Sequence, residues 1–234
     1  MRGLLAGFVG AFLLSGCGGG GDAAPQQVAA APAPATKPSI LIEAYGDSTM
    51  WGQDGKKPSV VQASVTQPSN AQAVLRAGYG QTVTVANEGV PGTTAVNLVL
   101  GTDGKHLPWT QQMANSTAQI VVVNFCINDS NPAFKESTET YRAFLSQIVN
   151  TARGAGKVIF LVEPNTVDSS ILPATAQYVT VMREVAAQLN VPLVANWGYP
   201  AVTPDGIHPD APTYASMGER MAETMWATVG SMLR

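Results

Sequence analysis

The chain has 234 residues, which suits one globular domain with a substantial apolar core and makes a second full domain unexpected. Charged residues make up only 12% of the chain, and the formal net charge is −3. Because proteins that bind nucleic acid carry a basic patch and this chain has no basic run, nucleic acid is excluded as an expected partner.

The first predicted element is an export signal over residues 1–16. Arg2 supplies a positive start, residues 4–14 form an apolar run, and Leu14-Ser15-Gly16-Cys17 closes it. The run is too short for a membrane-spanning helix of about twenty residues, so a permanent transmembrane segment is the weaker alternative. The closing residues resemble the lipobox of bacterial lipoproteins, which implies cleavage before Cys17 and acylation of its thiol and new amino terminus. An ordinary secretory signal is the other alternative.

A lipid on Cys17 would attach the mature protein to a membrane by the anchor only, in a bacterial cell envelope and facing the periplasm or the exterior. Cys126 is the second of two cysteines. Lipidation of the first would leave it no disulfide partner, so it is expected to be a buried apolar residue in its strand. Residues 17–38 are rich in glycine, alanine and proline, which predicts a flexible linker before a folded domain at 39–234.

Five short apolar segments bounded by turn residues predict β-strands, at 40–45, 82–86, 120–125, 157–162 and 191–195. Proline in the last segment weakens that strand. Longer patterns predict helices at about 71–77, 94–100, 136–153, 175–189 and 213–232. This alternation predicts an α/β fold in which a parallel sheet of about five strands lies between helices, with ligands at the carboxyl ends of the strands.

The first predicted strand leads into Tyr45-Gly46-Asp47-Ser48-Thr49, which places a serine at the carboxyl edge of the sheet. A serine hydroxyl is a poor nucleophile at neutral pH and needs a base, usually a histidine that a carboxylate orients. Ser48 is therefore the candidate nucleophile. The Gly-Asp-Ser pattern alone is weak evidence, because average composition gives it by chance in about one chain in twenty of this length.

Both histidines of the chain lie in an Asp-Gly-x-His pattern. Asp205 and His208 follow the last predicted strand and precede the final helix, so they are expected at the same sheet edge as Ser48. A three-residue spacing in a tight turn lets the carboxylate approach the imidazole, and Pro209 stiffens the backbone that follows. His106 follows a short predicted helix instead. It is expected to be a loop residue, with a place in the substrate cleft as the alternative.

Attack of a serine on an ester carbonyl also requires hydrogen-bond donors for the oxyanion that forms. Two candidate donors follow predicted strands. Gly92 could bring a backbone amide close to a substrate without obstruction by a side chain. Asn128 offers a side-chain amide after the third strand. The structural alternatives are a plain turn glycine and an Asx turn.

The four segments, in this order, resemble the four blocks of the SGNH, or GDSL-type, serine ester hydrolases over residues 39–234. The resemblance implies a flavodoxin-like three-layer fold, a catalytic triad and an oxyanion hole. The implied triad is Ser48, Asp205 and His208, and the implied oxyanion donors are the backbone amides of Ser48 and Gly92 and the side chain of Asn128. Acyl transfer by such a site requires no metal or organic cofactor.

Two residues depart from the family pattern without removing a catalytic group. Thr49 replaces the leucine that is common after the serine, and Cys126 occupies a position where the third block usually has glycine. The cysteine could narrow the floor beside Asn128, alter the turn of the loop, or simply face the core.

The sequence predicts an exported hydrolase that cleaves short-chain acyl or carbohydrate O-acetyl esters through an acyl-serine intermediate. Lysophospholipases and thioesterases share the four blocks and are the alternative, and a non-catalytic glycan-binding lipoprotein is the rival from another class. Trp51 and Trp109 could stack on a sugar ring, although a place beside the core is the favoured interpretation for each. Residues 51–70 are expected to form a lid or a surface excursion.

Overall fold

The computed structural model describes residues 38–234; the predicted export signal, Cys17 and the predicted linker up to residue 37 lie outside the described residues. Five parallel strands form one sheet in the order β2-β1-β3-β4-β5. The strands are β1 (Ile40–Gly46), β2 (Val83–Gly89), β3 (Ile120–Asn124), β4 (Val158–Val162) and β5 (Leu193–Val194). This order is that of the flavodoxin-like fold, and the predicted α/β class is confirmed.

Helices cover both faces of the sheet. They are α1 (Ser48–Trp51), α2 (Gln67–Tyr79), α3 (Ala95–Leu100), α4 (Trp109–Asn115), α5 (Thr138–Gly154), α6 (Thr175–Gln188) and α7 (Ala211–Met232), with a 3₁₀ turn at Pro132–Phe134. Among the described residues, none of these helices is both long and apolar enough to cross a membrane.

The sheet separates two hydrophobic clusters, and successive strand residues contribute to opposite clusters. In β3, Val121 and Val123 pack with α3 to α6, whereas Ile120 and Val122 pack with α2 and α7. All five residues of β3 are buried. A strand that is covered on both faces has apolar residues at every position, which explains the continuous apolar segment of β3 in the sequence.

Several boundaries differ from the sequence-based expectation for identifiable reasons. Helix α2 begins four residues earlier than expected, because Thr66 caps it and forms a reciprocal capping box with Ser69. Strand β5 pairs over only two residues, where the carbonyl of Pro192 accepts a hydrogen bond from Leu161 at 3.1 Å and that of Val194 accepts one from Glu163 at 3.0 Å. The four-residue helix α1 and the seven-residue helix α4 were not predicted, because so few residues show no helical period.

Candidate active site

At the carboxyl edge of the sheet, one histidine lies within hydrogen-bonding distance of both a serine and an aspartate. Oγ of Ser48, the first residue of α1, is 2.8 Å from Nε2 of His208. The other ring nitrogen, Nδ1, is 2.7 Å from Oδ2 of Asp205. The carboxylate favours the tautomer with its proton on Nδ1, so that Nε2 accepts from the serine hydroxyl. This arrangement can take a proton from the serine as the serine attacks a substrate.

Close approach between strand ends positions the serine. A Cβ atom at Gly46 would lie 2.4 Å from the carbonyl oxygen of Asn124 and 2.6 Å from Cβ of Met50, so this position requires glycine. The next residue, Asp47, donates its backbone N–H to the same carbonyl at 3.3 Å. Its side chain caps α1 by accepting the backbone N–H of Thr49 at 2.8 Å. The serine is therefore presented on a short turn fixed to the end of β3.

The turn that carries Asp205 and His208 orients its own carboxylate. Oδ1 of Asp205 accepts the backbone N–H groups of Ile207 at 2.9 Å and His208 at 2.7 Å. Gly206 has a φ of +82°, a conformation that side chains rarely adopt. Partial burial raises the pKa of Asp205, but its hydrogen bonds to the His208 ring and to the two amides outweigh this effect and hold the pKa below its ordinary value. The carboxylate is thus ionised at neutral pH.

The loop between β4 and α6 holds this turn from one side. The side-chain amide of Asn165 donates to the carbonyl of Ile207 at 2.8 Å, and the backbone N–H of Asp168 donates to the carbonyl of Gly206 at 2.8 Å. Ile207 also packs against a small apolar cluster that includes Leu172. These contacts were not foreseen from the sequence, because they depend on how two loops meet.

The segment between α1 and α2 holds the turn from the other side. Gln53 and Gln62 form an isolated antiparallel bridge, so residues 53–62 fold back on themselves. A Cβ atom at Gly55 would lie 2.2 Å from the carbonyl oxygen of His208, which shows how closely the segment approaches the histidine. Nε2 of Gln53 is 3.4 Å from Nδ1 of the same histidine. The segment expected as a lid or surface excursion is therefore an excursion anchored beside the catalytic turn.

Two of the three expected oxyanion donors, Gly92 and Asn128, lie on loops that hydrogen bonds link to each other. Nδ2 of Asn128 donates one proton to the carbonyl of Thr93 at 2.8 Å, which orients the amide and leaves its second proton for a substrate. Oδ1 of Asp129 accepts the backbone N–H of Ala95 at 2.8 Å. Gly92 has a φ of +77°, and a Cβ atom there would meet open space. Sequence reasoning identified two of these residues and missed the carboxylate of Asp129, whose only signal was its position after Asn128.

The cysteine in the third block does not obstruct the site. Cys126 is 1% exposed, packs in the cluster beneath α5 and α6, and directs its thiol at the carbonyl of Thr175 at 4.0 Å. Burial raises the pKa of this thiol, which is therefore neutral. The cysteine is a buried apolar residue, as expected, and lies just past the end of β3.

The second Asp-Gly-x-His turn has the same local geometry but a different partner. Oδ1 of Asp103 accepts the backbone N–H of His106 at 2.8 Å, and Oδ2 lies 2.7 Å from Nδ1. Nε2 of His106, however, lies 3.3 Å from a carboxylate oxygen of Glu88. The side chain is 4% exposed. It is a buried ion-pairing residue of a loop and has no place in the substrate cleft.

One of the two tryptophans considered as sugar platforms is a core residue. Trp109 is 1% exposed, donates its indole N–H to the carbonyl of Ile148 at 3.0 Å, and packs edge-on against Tyr45. Trp51, at the end of α1, is partly buried. The favoured expectation for Trp109 is correct, and its stacking role is excluded.

Carboxylates and histidine side chains can also bind metal ions. Across residues 38–234, no group of three or more His, Cys, Asp or Glu side chains is arranged to hold a metal ion. The ring nitrogens of both histidines already face carboxylate or hydroxyl partners.

Solved structures share the fold. A carbohydrate acetylesterase from Sinorhizobium meliloti has a TM-score of 0.63 at 15% identity, covering 81% of this chain and 100% of its own. An aryl esterase from M. smegmatis has a TM-score of 0.63 at 20% identity, covering 83% and 100%. A lipase/acylhydrolase from Enterococcus faecalis has a TM-score of 0.66 at 21% identity, covering 81% and 96%. Among curated proteins, none matches the chain.

A family model defines the relationship more closely than these distant structures do. The model of the GDSL-like lipase/acylhydrolase family matches residues 44–215, well over half of the chain. The matched range includes the serine turn, both oxyanion loops and the Asp205–His208 turn. The chain therefore belongs to the GDSL-like lipase/acylhydrolase family and is an SGNH-type esterase.

Proposed function

We propose that this protein hydrolyses carboxylic esters of short acyl groups, including carbohydrate O-acetyl esters, through an acyl-serine intermediate. One observation carries the proposal: the unbroken series of hydrogen-bond distances from Oγ of Ser48 through His208 to Asp205, 2.8 Å and 2.7 Å long. A serine with a base on one side and an ionised carboxylate behind that base is equipped for acyl transfer.

The first half of the reaction transfers the acyl group to the enzyme. Oγ of Ser48 attacks the ester carbonyl carbon while Nε2 of His208 takes the hydroxyl proton. The carbonyl oxygen becomes an oxyanion that accepts hydrogen bonds from the backbone amides of Ser48 and Gly92 and from the free amide proton of Asn128. Asp205 stabilises the imidazolium. Collapse of the tetrahedral intermediate breaks the ester C–O bond, and the imidazolium protonates the departing alcohol.

The second half releases the acid and restores the enzyme. His208 takes a proton from water, and the hydroxide adds to the acyl-serine carbonyl, again with the oxyanion held by the same donors. When this intermediate collapses, the C–O bond to Ser48 breaks and the serine oxygen recovers its proton from the imidazolium. Every proton taken by the histidine is returned within the same half-reaction.

Two lines support a short acyl group and a carbohydrate or aryl alcohol. Two of the similar structures are described as a carbohydrate acetylesterase and an aryl esterase. A coenzyme A thioester is not an expected substrate, because the predicted export signal at residues 1–16 would take the protein out of the cytoplasm. The third similar structure is described as a lipase/acylhydrolase, which favours a lipid ester as the second candidate.

We further propose that the protein acts in a bacterial cell envelope, attached to a membrane by lipid on Cys17. Support comes from the Leu-Ser-Gly-Cys motif at the end of an apolar run in the sequence. In this location a glycan or lipid ester would be within reach of the folded domain.

Active-site labelling and a substrate panel test the proposal. A fluorophosphonate should modify wild-type protein and Ser231→Ala, whose serine is exposed on α7, but should leave Ser48→Ala unlabelled. Acetyl and butyryl esters should be hydrolysed faster than long-chain esters. A preference for long chains would support the lipase-like candidate, whereas no labelling of wild-type protein would support the non-catalytic glycan-binding alternative.

A further inference from the structure

The hydroxyl of Thr49, which stands where the family usually has leucine, lies between two acceptor atoms. Its Oγ1 is 2.8 Å from Oδ1 of Asp47 and 2.8 Å from Oδ1 of Asn124. A hydroxyl has one proton and can donate it to only one acceptor. One of the two oxygen–oxygen contacts therefore needs a second proton.

The orientation of the Asn124 amide is fixed by its surroundings. Its Nδ2 donates to the carbonyls of Val162 at 3.0 Å and Glu163 at 3.1 Å, which occupies both amide protons. Exchanging the nitrogen and oxygen would place Oδ1 against two carbonyl oxygens and leave three acceptors facing one another. Oδ1 of Asn124 therefore accepts, and the hydroxyl of Thr49 is the group that donates to it. The second proton must come from Asp47.

The surroundings of Asp47 disfavour a charge on its carboxyl group. The residue is fully buried, and Oδ2 has no hydrogen-bond partner among the residues that the structure describes. A buried carboxylate needs a partner for each oxygen, because it has lost its hydration. Burial raises the pKa of Asp47, and this effect exceeds the opposing effects of the hydrogen bonds from Thr49 and of the charge on His208.

We propose that Asp47 is a neutral carboxylic acid in the resting enzyme and donates its proton to Thr49, which donates in turn to Asn124. The three residues then join the serine turn to the end of β3 without a negative charge next to Ser48. Asp47 and Thr49 are positioning residues, since neither touches the reacting atoms. Their kinetic role rests on the proposed ester hydrolysis, whereas the protonation state does not.

The other titratable groups around Asp47 agree with a neutral acid. A charge on Asp47 would act on Cys126, Asp129 and Tyr214, which lie at the end of β3, on the following loop and on α7. A thiol, a carboxyl and a phenol are never cations, so none of the three can compensate a carboxylate. Burial raises the pKa of each, which favours its neutral form. Within residues 38–234, the one group that acts on Asp47 and can become positive is His208, which is already paired with Asp205.

Infrared difference spectroscopy of the full chain tests the protonation state directly. Subtracting the spectrum of Asp47→Asn from that of wild type at neutral pH should reveal the carbonyl stretch of a protonated carboxylic acid. Thr49→Val should shift this band, because the proton loses its acceptor, whereas Thr49→Ser should keep it in place. A second subtraction with Asp129→Asn identifies any band from that buried acid. Loss of an ionised carboxylate band in Asp47→Asn would overturn the proposal.

The pH dependence of kcat/KM tests it independently. An ionised Asp47 would favour the protonated form of His208, so its replacement by asparagine would move the acid limb of the profile to lower pH. A neutral Asp47 predicts that the limb stays in place, and a shift would overturn the proposal. Thr49→Val should lower kcat about ten- to hundredfold with little change in KM, and Thr49→Ser should restore it. The infrared measurement needs no turnover, so failure of the proposed function and failure of this inference are distinguishable.

Discussion

The two Asp-Gly-x-His turns show how one neighbouring group decides what a histidine can do. Both turns have a glycine at positive φ, at Gly104 and Gly206, and in both a carboxylate faces Nδ1 at 2.7 Å. At Nε2, His208 meets a serine hydroxyl and His106 meets a second carboxylate. The local sequence of the two turns therefore does not predict which group faces Nε2 of each histidine. Position in the chain predicted which histidine lies beside Ser48, because only one of the two turns follows the last strand.

The carboxylates around His106 predict a pH-dependent contribution to stability. Burial lowers the pKa of His106, but hydrogen bonds to Glu88 and Asp103 outweigh it and raise this pKa above its ordinary value of about 6.5. A raised histidine pKa stabilises the folded state fully below about pH 6.5, and this stabilisation is lost as the pH rises through the folded-state pKa. The pKa values of Glu88 and Asp103 are lowered, so their contribution is lost as the pH falls below about 4.

His106→Asn should therefore lower the free energy of unfolding most between about pH 4.5 and 6.5, and by less at pH 9. Urea unfolding of wild type and variant across this range measures the difference. Esterase activity at pH 7 should remain in this variant, in contrast to His208→Asn. A difference in stability that stays constant from pH 5 to 9 would show that folding does not raise the pKa of this histidine.

The oxyanion donors make a kinetic prediction. Asn128→Ala should lower kcat about 100- to 1,000-fold with a small change in KM, because the lost hydrogen bond is strongest in the transition state. Asn131→Ala is the matched control: its side chain caps the turn at Ala133 and lies three residues away. Steady-state kinetics with an aryl acetate measures both. Equal kcat values for the two variants would contradict the assignment of Asn128 as an oxyanion donor.

At the scale of elements, the sequence predicts the strands and long helices, because many residues contribute to the pattern of each. The strands and the long helices have periodic or continuous apolar patterns, and these elements were located within a few residues. Helix α1 has four residues and owes its existence to the cap at Asp47 and to contact with β2, neither of which has a periodic signal. Helix α4 follows Pro108, which supplies no side-chain cap. Short helices of this kind are stabilised by their tertiary contacts, so sequence periodicity alone does not predict them.

Two glycines in helices test how closely the elements pack. A Cβ atom at Gly218 of α7 would lie 2.7 Å from both Cβ of Asn70 and the carbonyl oxygen of Gln67 on α2. Gly218→Ala should therefore destabilise the protein by about 1–3 kcal/mol. Gly154, at the end of α5, has nothing within 4 Å of its Cβ position, so Gly154→Ala should stabilise by up to about 1 kcal/mol.

Chemical denaturation of the two alanine variants measures both effects in one experiment. Because the two substitutions add the same methyl group, opposite changes in the free energy of unfolding would reflect the different space around each glycine. Destabilisation of equal size in both variants would mean that the helix–helix contact between α2 and α7 is not the cause.

At the scale of the whole molecule, the parallel sheet makes the site predictable. Ser48 and His208 are 160 residues apart, yet both follow strands whose carboxyl ends share one edge. The same rule placed the loops of Gly92 and Asn128 beside them. The supporting contacts, such as Asn165 to Ile207, could not be predicted, because they depend on loop conformations that no periodicity encodes.

The proposed lipid anchor makes a prediction for the full chain in a bacterial host. Wild-type protein should sediment with membranes, because acyl chains on the thiol and amino terminus of Cys17 together give stable attachment. The predicted linker at residues 17–38 would let the domain stand on the order of 25 Å from the anchor. Cys17→Ser should release the protein to the soluble fraction with kcat unchanged.

Cys126→Ala is the matched control for this experiment, because it removes the other cysteine from the core and should leave the protein on the membrane. Mass spectrometry of the mature amino terminus should show acylation at Cys17 in wild type and in the control. Release of wild-type protein with an unmodified amino terminus would instead indicate an ordinary secretory signal. In that case the domain would reach a substrate by diffusion, and lipid attachment would have no part in its choice of ester.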